Sequence, residues 1–168
     1  IAAGSLNTAT SGAVTSTYNA GTGVWSASGA IADVNALLAG LTFTPAANFN
    51  SNFTIATSVS DGVAAAITGS KTMTGTPVND APTATNLSAA ETYIEDTALN
   101  LVDIVVSDID SVNVTATLTL SNIAAGSLNT ATSGAVTSTY NAGTGVWTAS
   151  GAIADVNTLL AGLTFTPA

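Results

Sequence analysis

Residues 113–122 read NVTATLTLSN, a stretch in which apolar and polar side chains alternate. In an extended chain the apolar side chains fall on one face: Val114, Ala116, Leu118 and Leu120. The threonines at positions 115, 117 and 119 fall on the opposite face. A period of two with β-branched residues is typical of a strand that is buried on one side. The stretch therefore predicts a β-strand that covers a hydrophobic core.

Further strands follow from the same alternation in residues 41–45, 53–59 and 63–67. Residues 97–107 are more continuously apolar, which predicts a buried strand with a bulge near Asp103. Short strands separated by frequent turn residues predict an all-β fold, in the form of an antiparallel β-sandwich.

Residues 13–29 predict a β-hairpin. Its turn is the sequence NAGTG at residues 19–23, where Asn and Gly accommodate a positive φ. Tyr18 and Trp25 flank the turn, and Tyr140 and Trp147 are the same pair later in the chain. We interpret each pair as cross-strand packing. A sugar-binding platform is the alternative.

One short stretch has helical rather than strand spacing. The apolar residues of the segment IADVNALLAG, at positions 31, 34, 37 and 38, predict one or two helical turns that Gly40 closes. Residues 153–162 repeat this segment almost unchanged. Asp33 and Asp155 are expected to cap the two helices.

The chain contains a long internal repeat. Residues 1–46 recur as residues 123–168, an offset of 122, and only two positions differ: Ser26 becomes Thr148 and Ala36 becomes Thr158. A period of this length is the size of one folded domain. We therefore expect a tandem array of domains, in which the parent sequence continues after Ala168 as it does after Ala46.

Composition excludes several function classes. The chain has no Cys and no His, so disulfides, zinc sites of the Cys/His type, and Cys or Ser-His nucleophiles are excluded. One Lys against ten acidic residues gives a net charge of -9, which disfavours binding to nucleic acid or to anionic membranes. The sequence predicts a protein that is not an enzyme.

Four motifs and one longer stretch carry a resemblance to a known family. Residues 76–82 (TPVNDAP) resemble the linker of cadherin-like domains, and residues 93–97 (YIEDT) their acidic first strand. Residues 107–110 (SDID) and 59–62 (VSDG) are similar to their D-x-D and D-x-G motifs. Residues 41–62 also resemble repeats of giant bacterial RTX-type surface adhesins.

The resemblance implies an Ig-like, Greek-key β-sandwich with domain boundaries at N-D-A-P. On that basis residues 1–78 are the C-terminal part of one cadherin-like repeat, and residues 79–168 are the N-terminal part of the next. Each part would then lack strands that a complete repeat contains. A neighbouring copy could supply them by strand donation, because residues 47–78 contain what the second part lacks.

The resemblance also implies Ca²⁺ at the junctions between repeats. Calcium takes about six to eight oxygen ligands, and Asp108 and Asp110 on one strand would place their Cα atoms roughly 7 Å apart. The expected ligands, collected from adjoining repeats, are Asn79, Asp80, Asp108, Asp110, Glu95, Asp96 and Asp61. The alternative is that these are ordinary turn residues, since Asp and Asn favour turns.

The expected function is that of a structural repeat module in a secreted or surface-attached bacterial adhesin. Calcium-stiffened repeats would form an extender stalk in cell adhesion or biofilm formation. Its partners would be neighbouring repeats of the same chain. A self-assembling filament, sheath or surface-layer subunit, built from copies of the chain, is the first alternative. A carbohydrate-binding module with a glycan as partner is the second.

Overall fold

A computed structural model describes residues 3–168 of the chain. These residues divide into two compact units, and the boundary along the chain lies between Val78 and Asn79. We call residues 3–78 unit 1 and residues 79–168 unit 2. Their assignment to parts of successive repeats stays a prediction.

Unit 1 contains short strands around one helix. Its elements are β1 Gly4–Leu6, β2 Thr10–Ser11, β3 Val14–Thr15, β4 Thr17–Asn19, β5 Val24–Ser26, α1 Ile31–Ala39, β6 Phe43–Pro45, β7 Phe53–Val59 and β8 Ile67–Met73. The pairs are β1 with β6, β2 with β3, β4 with β5, and β7 with β8, all antiparallel.

Unit 2 repeats most of this order after four additional strands. Its elements are β9 Thr83–Ala84, β10 Leu99–Asn100, β11 Val106–Ser107, β12 Asn113–Thr119, a 3-10 turn Ile123–Ala125, β13 Gly126–Leu128, β14 Thr132–Ser133, β15 Val136–Thr137, β16 Thr139–Asn141, β17 Val146–Ala152, α2 Ile153–Ala161 and β18 Thr164–Pro167. Two three-stranded sheets have the orders β10-β18-β13 and β12-β17-β16, and the pairs β9–β11 and β14–β15 complete the unit. All of these pairings are antiparallel.

The predicted all-β character is confirmed, since the described residues form mostly strands with two short helices. The strands over residues 113–119 and 53–59 begin and end within their predicted segments. The hairpin is confirmed as well, because β4 and β5 pair across the NAGTG turn. There the Asn19 side chain accepts hydrogen bonds from the backbone N–H groups of Gly21 (2.9 Å) and Thr22 (3.2 Å).

Two predicted strands differ from those of the structure in where they begin or in whether they are continuous. Residues 63–66 are not a strand, because Asp61 folds them into a turn, and β8 begins only at Ile67. Val63 is consequently 92% exposed. Residues 97–107 form two short strands, β10 and β11, rather than one strand with a bulge.

The helices begin at the predicted residues and Gly40 and Gly162 close them as expected, but they are longer than one or two turns and their N-caps differ. Each has nine residues, which is about two and a half turns. The prediction that Asp33 and Asp155 cap them is wrong, since the N-cap residues are Ala30 and Ala152 and neither cap forms a side-chain hydrogen bond.

Asp33 instead connects α1 to the β2–β3 turn. Its carboxylate accepts a hydrogen bond from the Ser11 hydroxyl (3.2 Å) and covers Gly12, where a Cβ would lie 2.5 Å from it. Gly12 has a φ of +54°, so both space and backbone conformation favour glycine there. As an acid in the first helical turn, Asp33 also interacts favourably with the helix dipole.

The core of unit 2 lies between α2 and the two three-stranded sheets. Trp147 and Val156 are 0% exposed, and the other buried apolar members are Val106, Leu128, Val136, Ala149, Leu159, Leu160, Leu163 and Phe165. The predicted inward residues of β12 (Val114, Ala116 and Leu118) pack against this core, and Leu120 just beyond it does the same. The alternation in NVTATLTLSN therefore identified the correct face.

One polar side chain is part of this interior. Ser138 is 3% exposed, and its hydroxyl accepts from the Ala131 N–H (2.9 Å) while donating to the Ala131 carbonyl (3.2 Å). Ser16 makes the same two hydrogen bonds to Ala9 in unit 1. At both places the buried serine thus contacts the opposite alanine through its hydroxyl and through its own backbone N–H.

We predict that Ser138→Ala destabilises unit 2 by about 1–3 kcal/mol, because the Ala131 N–H loses its acceptor in a partly buried contact, while the Ala131 carbonyl keeps the Ser138 N–H at 2.9 Å. Urea unfolding, followed by Trp147 fluorescence in a Trp25→Phe background, measures this. Ser127→Ala, at an exposed strand position, is the matched control and should change the free energy of unfolding by less than about 0.5 kcal/mol. Equal effects of the two substitutions would contradict the role given to Ser138.

Candidate cation site

Four of the predicted calcium ligands belong to unit 2. Asn79 and Asp80 lie at its beginning, and Asp108 and Asp110 lie in the turn between β11 and β12. The backbone N–H of Asp80 donates to Oδ2 of Asp110 at 2.6 Å, so the structure brings these two residues together. The side-chain amide of Asn79 donates to the Asp80 carbonyl at 2.8 Å. The segment that enters unit 2 is therefore attached to the Asp108–Asp110 turn by a charge-assisted hydrogen bond.

Asp108 shapes its own turn. Its Oδ1 accepts hydrogen bonds from the backbone N–H groups of Asp110 (2.8 Å) and Ser111 (2.7 Å). This Asx arrangement is one that Asp adopts in many turns without a metal. The hydrogen bonds of Asp108 thus match the alternative in which these acids are turn residues.

The remaining predicted ligands lie elsewhere. Glu95 and Asp96 are in an exposed turn before β10, closed by a hydrogen bond from the Thr97 N–H to the Ile94 carbonyl (3.2 Å). Asp96 has a φ of +61°, a left-handed conformation that Asp tolerates better than most residues. Asp61 belongs to unit 1, in the turn between β7 and β8.

Within residues 3–168, no three of the Asp and Glu side chains come together in a group that could hold a metal ion. Calcium needs about six to eight oxygens, and the carboxylates of Asp108 and Asp110 accept hydrogen bonds from backbone N–H groups. Calcium at this junction therefore stays a prediction that requires donors from an adjoining repeat.

Hydrogen bonds in the turn between β7 and β8 stabilise the charged carboxylate of Asp61. Backbone N–H groups of Ala64 and Val63 each donate to its Oδ1 at 3.0 Å. These two hydrogen bonds, that of Ala64 first, favour the charged form and hold the pKa of Asp61 below its usual value of 3.8.

The members of each predicted aromatic pair lie on opposite strands of their hairpin. Tyr18 lies opposite Trp25, and Tyr140 lies opposite Trp147. Trp147 is 0% exposed, and its indole N–H donates to the Asn129 carbonyl at 3.0 Å. The ring of Trp147 therefore has no free face on which a sugar could stack, whereas Trp25 is partly exposed.

Sequence reasoning missed a polar contact in unit 2. The side-chain amide of Asn157, on α2, donates to the Val106 carbonyl at 2.9 Å, and its Oδ1 accepts from the Val106 N–H at 2.8 Å. Asn157 therefore pairs with β11 as a neighbouring strand would. Hydropathy gives no signal for this contact, because a single Asn on a helix is compatible with a solvated face.

Comparison with known protein families, curated proteins and solved structures finds no match to this chain. In residues 3–168, no helix has the length and apolar character needed to cross a membrane. The resemblance to cadherin-like adhesin repeats thus rests on the sequence motifs.

We predict that the pKa of Asp61 is lower in the folded chain than in the chain unfolded by urea. Because the folded-state pKa is depressed, the stability that Asp61 contributes is fully present above its unfolded pKa and is lost as the pH falls through its folded pKa. Titration of the Asp61 carboxyl carbon by NMR, with and without urea, measures both values. A folded value equal to or above the unfolded value would rule out the hydrogen bonds from Ala64 and Val63 in solution.

Proposed function

We propose that this chain is a structural repeat module of an extracellular bacterial adhesin, in which successive repeats form a spacer that projects a binding domain from the cell surface. The observation that carries the proposal is structural repetition. The residues that recur with an offset of 122 form the same order of strands and helix in unit 1 (β1 to β6 with α1) and in unit 2 (β13 to β18 with α2).

The two copies of the repeated segment also pair their strands in the same register. Gly4 lies opposite Pro45 and Leu6 opposite Phe43 in unit 1, and the corresponding unit 2 pairs are Gly126 with Pro167 and Leu128 with Phe165. The β2–β3 and β14–β15 pairs also agree. A segment that forms the same strand pairs in the same register twice is the kind of unit from which a tandem array is built.

Polar contacts repeat in the same way. The Asn7 side chain donates to the Gly40 carbonyl (3.1 Å) and accepts from the Thr42 N–H (2.6 Å). Asn129 makes the corresponding contacts to Gly162 (3.1 Å) and Thr164 (2.7 Å). These contacts fix the chain after each helix, so they support a module whose shape is set from within.

As part of the proposal, the complete repeat is a cadherin-like Greek-key β-sandwich. The support is the core of unit 2, because side chains of β17 (Trp147 and Ala149) and of β13 and β18 (Leu128 and Phe165) belong to one apolar cluster. The two three-stranded sheets that contain these strands would be the two layers of the sandwich.

The spacer proposal predicts that length grows by a constant increment with each complete repeat of 122 residues. Chains with two, three and four repeats, compared by small-angle X-ray scattering and electron microscopy, test it. Single stalks with a linear increase in maximum dimension are the expected result. Fibres or lattices would instead indicate the self-assembling filament, and a maximum dimension that stays constant would exclude a spacer.

Calcium stiffening is the second part of the proposal, with Asp108 and Asp110 contributing oxygens together with groups of an adjoining repeat. We predict that Ca²⁺ raises the melting temperature of a chain of two complete repeats relative to EDTA, because an ion that binds only the folded state stabilises it. Differential scanning calorimetry measures the shift. Asp110→Asn should remove most of it, whereas Asp103→Asn should leave it unchanged. A melting temperature that is the same in Ca²⁺ and EDTA would exclude calcium and leave the spacer proposal intact.

A further inference from the structure

A pair of residues that can react with each other lies in the turn between β7 and β8. The chain contains one Asp-Gly sequence, Asp61–Gly62, and no Asn-Gly sequence. Aspartate followed by glycine is prone to isomerisation, because a residue without a Cβ leaves its backbone nitrogen accessible to the preceding side chain. Asp61–Gly62 is therefore the peptide bond of this chain that is most susceptible to the reaction.

The reaction joins the backbone nitrogen of Gly62 to Cγ of Asp61. The N–Cγ bond forms, and the amide proton leaves with one carboxyl oxygen and its proton as water. A second water then opens the five-membered succinimide ring. Opening at the backbone carbonyl of Asp61 breaks its bond to the Gly62 nitrogen and leaves isoaspartate, in which the chain passes through the side-chain carbons. The sequence of steps consumes and returns one water and needs no oxidant.

The fold requires glycine at position 62. Its φ is +78°, and a Cβ at this position would meet no atom within 4 Å. Backbone conformation, rather than lack of space, therefore selects glycine here. The residue that allows the turn also creates the reactive pair.

Both reacting groups are held in other contacts. The Gly62 N–H donates to Oγ of Ser60 at 3.0 Å, and Oδ1 of Asp61 accepts from the N–H groups of Val63 and Ala64, each at 3.0 Å. Ring closure must break these contacts, because the nitrogen has to lose its proton and the carboxyl group has to turn towards it. All the partners lie within residues 60–64, which we call the Ser60 turn, so the arrangement is independent of other segments.

The turn at Asp108 provides an internal comparison. Its Oδ1 accepts from the N–H groups of Asp110 (2.8 Å) and Ser111 (2.7 Å), the same two positions along the chain as in the turn of Asp61. The residue that follows Asp108 is Ile109, whose branched side chain obstructs attack by its nitrogen. The same carboxylate arrangement is thus present there without a reactive neighbour.

The preceding serines differ between these two turns. Ser107 precedes Asp108 as Ser60 precedes Asp61, but the Ser107 hydroxyl contacts the Thr83 hydroxyl at 2.8 Å. Only in the Ser60 turn does the serine accept the N–H that would react. This difference assigns Ser60 a role that the shared Ser-Asp sequence does not explain.

We propose that Asp61–Gly62 is the isomerisation site of this chain and that the Ser60 turn slows the reaction in the folded state. Isomerisation would add a backbone carbon between β7 and β8 and move the carboxyl group away from Val63 and Ala64. Val59 lies opposite Ile67 at this end of the hairpin, so that pairing would be lost. The proposal goes beyond the spacer function and holds whether or not the chain is a spacer.

The test compares the folded full chain with a synthetic peptide of residues 57–67, both kept at neutral pH in EDTA so that calcium plays no part. Mass spectrometry with electron-transfer fragmentation measures isoaspartate at position 61. The folded chain should react at least about tenfold more slowly, because ring closure breaks three hydrogen bonds. Asp108 should remain unmodified in the same sample.

Matched variants test the contribution of Ser60. In the folded chain, Ser60→Ala should raise the rate about two- to tenfold, the equivalent of one hydrogen bond. Ser58→Ala, at an exposed position of β7, should leave the rate unchanged. Neither substitution should alter the rate in the peptide, which has no fixed turn. Circular dichroism verifies that both full-length variants are folded.

Three results would overturn the proposal. A folded chain that reacts as fast as the peptide would show that the Ser60 turn gives no protection. Equal acceleration by Ser60→Ala and Ser58→Ala would indicate general loosening of the hairpin rather than loss of the Gly62 contact. Isoaspartate that accumulates at another aspartate before position 61 would place the isomerisation site elsewhere.

Discussion

The seven-residue pairing of β12 with β17 is the interaction on which the organisation of unit 2 depends. It places Val114, Ala116 and Leu118 over the sheet that contains Trp147, and it gives the backbone of β17 a partner on its second side. Burial of a large aromatic side chain and of the leucines beside it is the dominant favourable term in such a small domain. Because the pairing links residues far apart in sequence, its formation closes the hairpins and the helix into one core.

The chain itself separates local from long-range effects, because nearly the same 46 residues occur in two environments. The hairpin turn at Asn19, the serine bridge of Ser16 and the amide contacts of Asn7 are reproduced in both units. These contacts join residues within the repeated segment and need nothing from outside it. Strand length and burial differ, as β5 and Leu38 show, because both require a partner from another segment. Local sequence thus fixes the path of the chain, while a second segment, residues 99–120 in unit 2, determines whether that path encloses a core.

The same distinction explains what could be predicted from the sequence. Period-two patterns located β7 and β12, helical spacing located α1, and the NAGTG turn located the hairpin, since each signal is contained within a few consecutive residues. The start of β8 was missed because a hydrogen-bonded turn at Asp61 prevails over the alternation that follows it. The helix caps were assigned wrongly because the carboxylate of Asp33 is directed to Ser11, a residue of a different element. The contact of Asn157 with Val106 joins residues 51 apart, so neither end of it has a sequence signal of its own.

At the predicted cation site, the sequence identified the acidic residues but not the backbone N–H groups that donate hydrogen bonds to them. The carboxylates of Asp108 and Asp110 are already compensated by backbone N–H groups of the turn and of Asp80, so their charge does not by itself demand a metal.

The excess of acidic residues also affects how copies of the chain interact with one another. One Lys and ten acids leave a net charge of -9, and residues 97–122 carry three of those acids and no cation. Like charge therefore opposes association between copies of the chain, and salt screens this repulsion. In the proposed tandem array, covalent linkage holds neighbouring repeats at a high effective concentration. Pairing within the array would then be favoured over association between chains, which is the condition that a spacer requires.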